Sequence, residues 1–249
     1  MLYLYLTFGF EFTFILALDI PSFTNVKNIA ELLRSVSDKP IPPLDLAIPL
    51  SDYTPLDLST TNPDLKTIDS TDPIECQEYI DRILTRNNAT VAYGGYLEKR
   101  NLYNDKIGFS KGSPRNIHLG IDFWAEAGTK VLVPVAGKIH SFQNNATSGD
   151  YGPTIILEHR LGKVTFYSLY GHLSLESLYG LQKRKAFRAG ELLATLGTPD
   201  INVDYAPHLH FQLILDMEGK KGDYPGVCSA EDLEFYSKNC PNPNLLLGF

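Results

Sequence analysis

All six histidines of this 249-residue chain lie between residues 118 and 210, and three of them fall in two segments whose composition could assemble a metal site. In residues 116–123 (NIHLGIDF), Ile117, Leu119, Ile121 and Phe123 are apolar, and Asn116, His118, Gly120 and Asp122 fill the alternate places. In residues 206–213 (APHLHFQL), Pro207, Leu209, Phe211 and Leu213 alternate with Ala206, His208, His210 and Gln212. Alternate side chains of a strand share a face, so each segment sends one face into a core and points metal-capable groups the other way. The strand rise places His208 and His210 roughly 6–7 Å apart, close enough to converge. The same rise would hold His118 and Asp122 roughly 13 Å apart, too far for one ion, so a bend is expected at Gly120 between them. Two imidazoles and a carboxylate suit zinc, whose catalytic sites keep a fourth position for water. By spacing alone, His-x-His and His-x-x-x-Asp fit a hydrogen-bonded polar face equally well. His140 is expected at the surface, and His159 in a structural or solvated role. Glu98 and Arg100 read by default as surface charges, with substrate contact as the alternative.

The elements that must position these residues change character near Thr90. Before it, residues 24–36 read as a short amphipathic helix with Val26, Ile29, Leu33 and Val36 at helical spacing. Residues 38–70, rich in Pro, Asp, Ser and Thr, read as an irregular connector. A second helix starts at Asp72 as N-cap, with Pro73 at its first position and Glu75 completing a capping box. It buries Tyr79, Ile80, Ile83 and Leu84 and ends near Asn87 and Asn88. After Thr90, short β-prone runs alternate with Gly, Asn and Asp. Residues 129–142, 154–160 and 163–173 read as strands, residues 149–153 as a turn, and the tail 240–249 as irregular. The expected fold is mainly β, an antiparallel β-sheet core with a small helical N-terminal extension. The extension spans residues 1–88 and the site-bearing domain residues 89–249.

Composition narrows the function classes. Hydrophobic residues make up 43% of the chain, enough for a sizeable core. The formal net charge of -7 argues against a nucleic-acid partner. Cys76, Cys228 and Cys240 form no Cys-x-x-Cys pair, so a cysteine zinc site is unsupported. Unpaired thiols are the favoured reading over a Cys228–Cys240 bridge. Residues 1–18 are apolar but carry Glu11, and no Lys or Arg precedes Lys27. They read as a strand or a misassigned start rather than a signal peptide, which leaves membrane association and compartment open.

The order of motifs carries more than any one of them. HLGID (118–122), AGTKVLVPVAGKI (127–139), YGHL (170–173), RAGELLATLG (188–197) and PHLHF (207–211) together resemble the M23 (LytM/lysostaphin-like) zinc metallopeptidases. The flanks AYGGYLEKRNLY (92–103) and 223–244 resemble the M23 module found in fusions with a kinase and an aminotransferase. The resemblance implies a core of the duplicated-hybrid-motif type and one Zn2+ per chain held by His118, Asp122 and His210. It implies His172 and His208 as catalytic residues that orient water, stabilise an oxyanion or pass a proton. It also implies a peptide or peptidoglycan substrate. Some members of the family carry a tyrosine shortly before the first ligand. None precedes His118 here, and Tyr96 or Tyr103 would have to reach in instead. Two other readings compete: a non-catalytic glycan-binding or hydrolase-regulating module of the same fold, which leaves a filled five-residue set unused, and a biotinyl/lipoyl-like carrier, which lacks the lysine tip and leaves the histidines unexplained.

Overall fold

The computed structural model describes residues 26–36, 40–101, 113–147, 149–202 and 205–249; the readings of residues 1–18 and of Tyr103 lie outside them. Ahead of Thr90, the helices are α1 (Val26–Arg34) and α2 (Pro73–Asn87), with a strand β1 (Tyr53–Pro55) between them. Among the described residues, eleven further strands follow: β2 (Val91–Gly94), β3 (Ile117–His118), β4 (Ile121–Trp124), β5 (Lys130–Leu132), β6 (Gly137–Asn145), β7 (Gly152–Leu161), β8 (Val164–Gly171), β9 (Ala186–Phe187), β10 (Leu192–Thr195), β11 (His208–Ile214) and β12 (Val227–Cys228). Two short helices, α3 (Leu233–Asn239) and α4 (Asn244–Leu247), close the chain.

The described residues form a mainly antiparallel sheet in the order β1-β2-β4-β11-β8-β7-β6-β9, with two small sheets, β10-β5 and β12-β3, beside it. Among the described residues, only the β1–β2 pairing is parallel. The mainly β, antiparallel architecture is the one the alternating segments imply. β11 is central, with β4 on one side and β8 on the other. Its apolar residues Leu209, Phe211 and Leu213 are fully buried in the main core with Phe123, Tyr170 and Val131. Burial of such side chains contributes roughly 1.5–3 kcal/mol each relative to exposure. Ile29 and Leu33 of α1 and Leu246 and Leu247 of α4 pack into the same core.

The opposite face of β11 is also covered, although an alternating antiparallel strand commonly turns its polar side to water. Two smaller cores flank it. Leu56, Leu58, Cys76, Tyr79, Ile80 and Ile83, all ahead of Thr90, pack with Ala92, Trp124 and Ala206. On the other side, Ile117, Leu119, Tyr151, Ile214, Tyr224, Cys228 and Cys240 form the third cluster. The three cysteines are free and buried.

Several expectations are corrected. The connector contains β1, which joins the main sheet. Residues 129–142 are two strands, because Pro134 has no N–H for a continuous ladder. Residues 149–153 are not all turn: Gly152 and Pro153 already belong to β7. Asp72 caps α2 by accepting from the N–H groups of Ile74 and Glu75, but Glu75 reaches past it to the N–H of Asp69, so the capping box does not close. The tail is ordered: the Asn244 side chain bonds both backbone groups of Phe249, whose ring packs on Tyr53 and Tyr93. His140 is half-buried rather than surface-exposed, bonded to the Ser141 hydroxyl. Among the described residues, no helix is long and apolar enough to cross a membrane.

Candidate metal centre

The row of residues across β2, β4, β11 and β8 positions the site. Gly94 pairs with Asp122, Asp122 with His210, and His210 with Gly171, which precedes His172. Directly opposed residues of antiparallel strands share a face with Cβ atoms roughly 4.5–5.5 Å apart. Asp122 and His210 are therefore set side by side by register. His208 pairs with Trp124 in the next row and stacks on its indole, with ring centroids 5.8 Å apart.

His118 arrives by the expected bend. The strand is interrupted at Leu119 and Gly120: β4 stays in the main sheet, and β3 leaves to pair with β12. The reason for glycine differs from the one its backbone freedom suggests. Gly120 is not in the left-handed region; a Cβ there would lie 2.7 Å from the Phe211 carbonyl oxygen and 2.8–2.9 Å from the His210 ring. Glycine is required by the close approach of His210, not by φ.

His118 Nε2, His210 Nδ1 and Asp122 Oδ1 form a triangle with sides of 2.9, 3.1 and 3.3 Å. Ligand atoms around a tetrahedral zinc lie roughly 3.3 Å from one another, given bonds of about 2.0–2.1 Å. The protonation pattern fits as well as the spacing. His118 Nδ1 bonds the Gly95 carbonyl at 2.9 Å; a carbonyl only accepts, so Nδ1 carries the proton and Nε2 presents a lone pair. Gln212 donates its Nε2 to the Pro225 carbonyl and to Cys240 Sγ, which turns its Oε1 toward His210 Nε2 at 2.9 Å. His210 thus donates from Nε2 and presents a lone pair at Nδ1. Two lone pairs and a carboxylate oxygen face one point with no proton among them, an arrangement that could hold a metal ion. All three residues are at most 3% exposed.

Charge states agree with this. Burial, then the Arg100 charge, lowers His118 to about 4, so its imidazole is neutral near neutral pH. Burial alone would raise the Asp122 carboxyl, but His118, Arg100 and hydrogen bonds to both histidines outweigh it and hold it well below the usual carboxylate range.

His172 and His208 stand beside the triangle, their rings 4.0 Å apart. His208 Nδ1 donates to the Ala206 carbonyl at 2.7 Å, which leaves Nε2 as acceptor. His172 has φ +61, uncommon for a residue with a side chain and costing on the order of 1–3 kcal/mol. Its N–H bonds the Tyr151 carbonyl and its own carbonyl accepts from Gly197, which pins that conformation. Its Nδ1 is buried with no hydrogen-bond partner among the described residues. Burial lowers both histidines, His172 well below its usual value. All five residues line a cavity of about 320 Å³. Leu58, Cys76, Trp124 and Ala206 make part of its lining apolar; Arg115, Asp150, Lys220 and Asp223 make another part charged.

Other residues fall elsewhere. Tyr96 donates its hydroxyl to the Cys240 carbonyl and does not line the cavity; Tyr151 and Tyr205 do, and the sequence reading passed over both. His159 is buried in a structural role, bonded to the Ala136 carbonyl and the Ser168 hydroxyl. Arg100 and Glu98 are not surface charges. Arg100 is 1% exposed and pairs with Asp122. The one available signal was their i, i+2 spacing, which puts both on one face of an extended segment.

The mainly β sheet and its buried His/Asp cluster are those of a protein built around a candidate metal centre. Residues 116–222 match the model of peptidase family M23, a span that contains all five residues. No curated protein matches the chain. Among solved structures, the chain is similar to a zinc-containing peptidase from Vibrio cholerae, with 25% identity over 39% of this chain and 27% of that one and a TM-score of 0.32. It is also similar to the catalytic domain of the antimicrobial peptidase lysostaphin from Staphylococcus simulans, with 24% identity over 61% of this chain and 94% of that one and a TM-score of 0.37. The chain thus spans about a quarter of the Vibrio cholerae protein's length.

Proposed function

We propose that this protein is a zinc metallopeptidase that hydrolyses a peptide bond in peptidoglycan or a related peptide, with His118, Asp122 and His210 as ligands and His172 and His208 as catalytic residues. The observation that carries the reading is the convergence of two imidazole lone pairs and one carboxylate oxygen within 3.3 Å of one another, each tautomer set by an outer hydrogen bond. Zinc bound there supplies Lewis acidity for a carbonyl oxygen and makes water nucleophilic near neutral pH.

The chain's own groups supply the rest. His208, its Nδ1–H committed to Ala206, offers Nε2 to take a proton from water and return it to the leaving amine. His172, a neutral imidazole with an uncommitted Nδ1, is placed to hydrogen-bond the oxygen on which charge develops. Trp124 holds the His208 ring against rotation by stacking.

The test is digestion of purified peptidoglycan, and of short peptides drawn from it, by zinc-loaded protein, with new amino termini labelled and identified. The proposal expects new termini, abolished by a chelator and restored by zinc. Zinc-loaded protein that binds these materials yet releases no amino terminus would instead mark a binding module.

A further inference from the structure

We infer that Arg100 is a positioning residue of the metal centre: it occupies one oxygen of Asp122 and so leaves only the other to face the two histidines. The inference rests on the ligand assignment above. Asp122 Oδ1 closes the triangle with His118 and His210, whereas Oδ2 accepts from Arg100 Nη1 at 2.5 Å. A carboxylate beside a divalent ion can rotate to offer both oxygens. The guanidinium, planar and fixed, prevents that rotation.

Arg100 is itself held from three sides. Its Nε donates to Glu98 Oε2 at 2.5 Å, and its guanidinium lies over the Trp124 ring, 5.5 Å from the centroid. Its backbone N–H bonds the Asn116 carbonyl at 2.9 Å. Glu98 Oε1 accepts the backbone N–H of Leu58 at 3.0 Å, so the segment ahead of α2 helps hold the carboxylate that holds the arginine. The turn that starts at Gly95 serves both ligands. Gly95 has φ +107, and a Cβ there would lie 2.9 Å from His118 Nδ1 and strike the Arg100 guanidinium. Glycine therefore lets one turn bring its carbonyl to His118 and its following arginine to Asp122.

Charge balance permits a cation so close to a metal site. Arg100, Glu98 and Asp122 together carry one net negative charge, so Glu98 offsets the repulsion that a lone guanidinium would exert on a bound ion. A buried ion pair left without one partner is strongly destabilising, which is why Glu98 and Arg100 act as a unit.

The test uses the full chain with Arg100→Met, which keeps the length of the side chain and removes its donors, and with Arg100→Lys. Zinc affinity is read by competition with a chromogenic chelator, and ligand geometry by the visible spectrum of the cobalt(II)-substituted protein. Arg100→Met should weaken zinc binding by about 10–100-fold, the usual effect of losing a group that orients a ligand. Its cobalt spectrum should change in shape and intensity as Asp122 becomes free to use both oxygens. Arg100→Lys should fall between, since one ammonium cannot span both carboxylates in the fork geometry. A merely structural role would leave the spectrum of folded variants unmoved. If either variant is folded and keeps both wild-type affinity and wild-type spectrum, the inference is wrong. If Arg100→Met does not fold, Arg100→Lys decides by the same two readings. If the wild-type protein binds neither zinc nor cobalt, the ligand assignment fails instead, and the two failures are told apart.

Discussion

At the scale of single residues, the five buried polar side chains divide by what fixes them. His118 and His210 each spend one nitrogen on an outer partner, Gly95 or Gln212, and aim the other at Asp122. His172 and His208 lie to one side, ring against ring. Removing a ligand should therefore cost the metal, whereas removing a group that acts on the transition state should fall on turnover. His118→Ala and His210→Ala are expected to lose both zinc and activity. His172→Ala and His208→Ala are expected to keep most of the zinc and to lose activity by roughly 10²-fold or more. Zinc content and turnover measured on the same preparations check this; a His208→Ala protein without zinc beside a His210→Ala protein with zinc would reverse the two roles. Period-two alternation put His118 and Asp122 on one strand face and His208 and His210 on another, and the resemblance to the M23 family added His172. Arg100 was not legible in the sequence, because only the fold shows that it is covered by Trp124 and paired with Asp122 rather than solvated.

At the scale of elements, the site depends on one strand breaking where its neighbour does not. β11 runs unbroken through His208 and His210, while the strand bearing His118 and Asp122 divides at Gly120. The sequence foretold the bend from distance alone. It could not show why glycine stands there, because the atoms a Cβ would strike belong to β11, some ninety residues later. Gly120→Val should push the His210 ring out of the triangle and weaken zinc affinity by about tenfold or more. Chelator competition measures it, and unchanged affinity in a folded variant would count against the account. The covered polar face of β11 was equally hidden. Alternation reads as one wet face, but the cover comes from Leu58 and α2 on one side and the segment around Tyr224 on the other.

At the scale of the whole molecule, the residues ahead of Thr90 are coupled to the sheet. β1 pairs with β2, six members of the second core lie in this region, and Leu58 holds Glu98. A chain beginning at Thr90 keeps every proposed ligand, yet it uncovers Trp124 and frees Glu98. It should bind zinc more weakly than the full chain and unfold at a lower temperature; equal affinity and equal melting temperature would show that the segment is dispensable. Acid stability tests the core away from the site. Burial pushes His159 down to about 4, against hydrogen bonds to Ala136 and Val135, from an unfolded value of 6.5. Between those values the unfolded chain binds a proton that the folded chain does not. Its contribution is therefore fully present above about pH 6.5 and is lost as pH falls toward about 4. In zinc-free protein, His159→Gln should flatten the dependence of unfolding free energy on pH across that window by about 1.4 kcal/mol per pH unit. Denaturant titrations at several pH values measure the slope, and an unaltered slope would show that His159 titrates alike in both states.

The most direct test of the central claim is the metal content of wild-type protein purified without chelator, compared with its His118→Ala and His210→Ala variants. The account predicts about one zinc per wild-type chain, recovered on adding zinc after the ion has been stripped, and far less than one in either variant. Wild-type protein without stoichiometric transition metal that also fails to take up added zinc would contradict it, as would variants that retain a full equivalent.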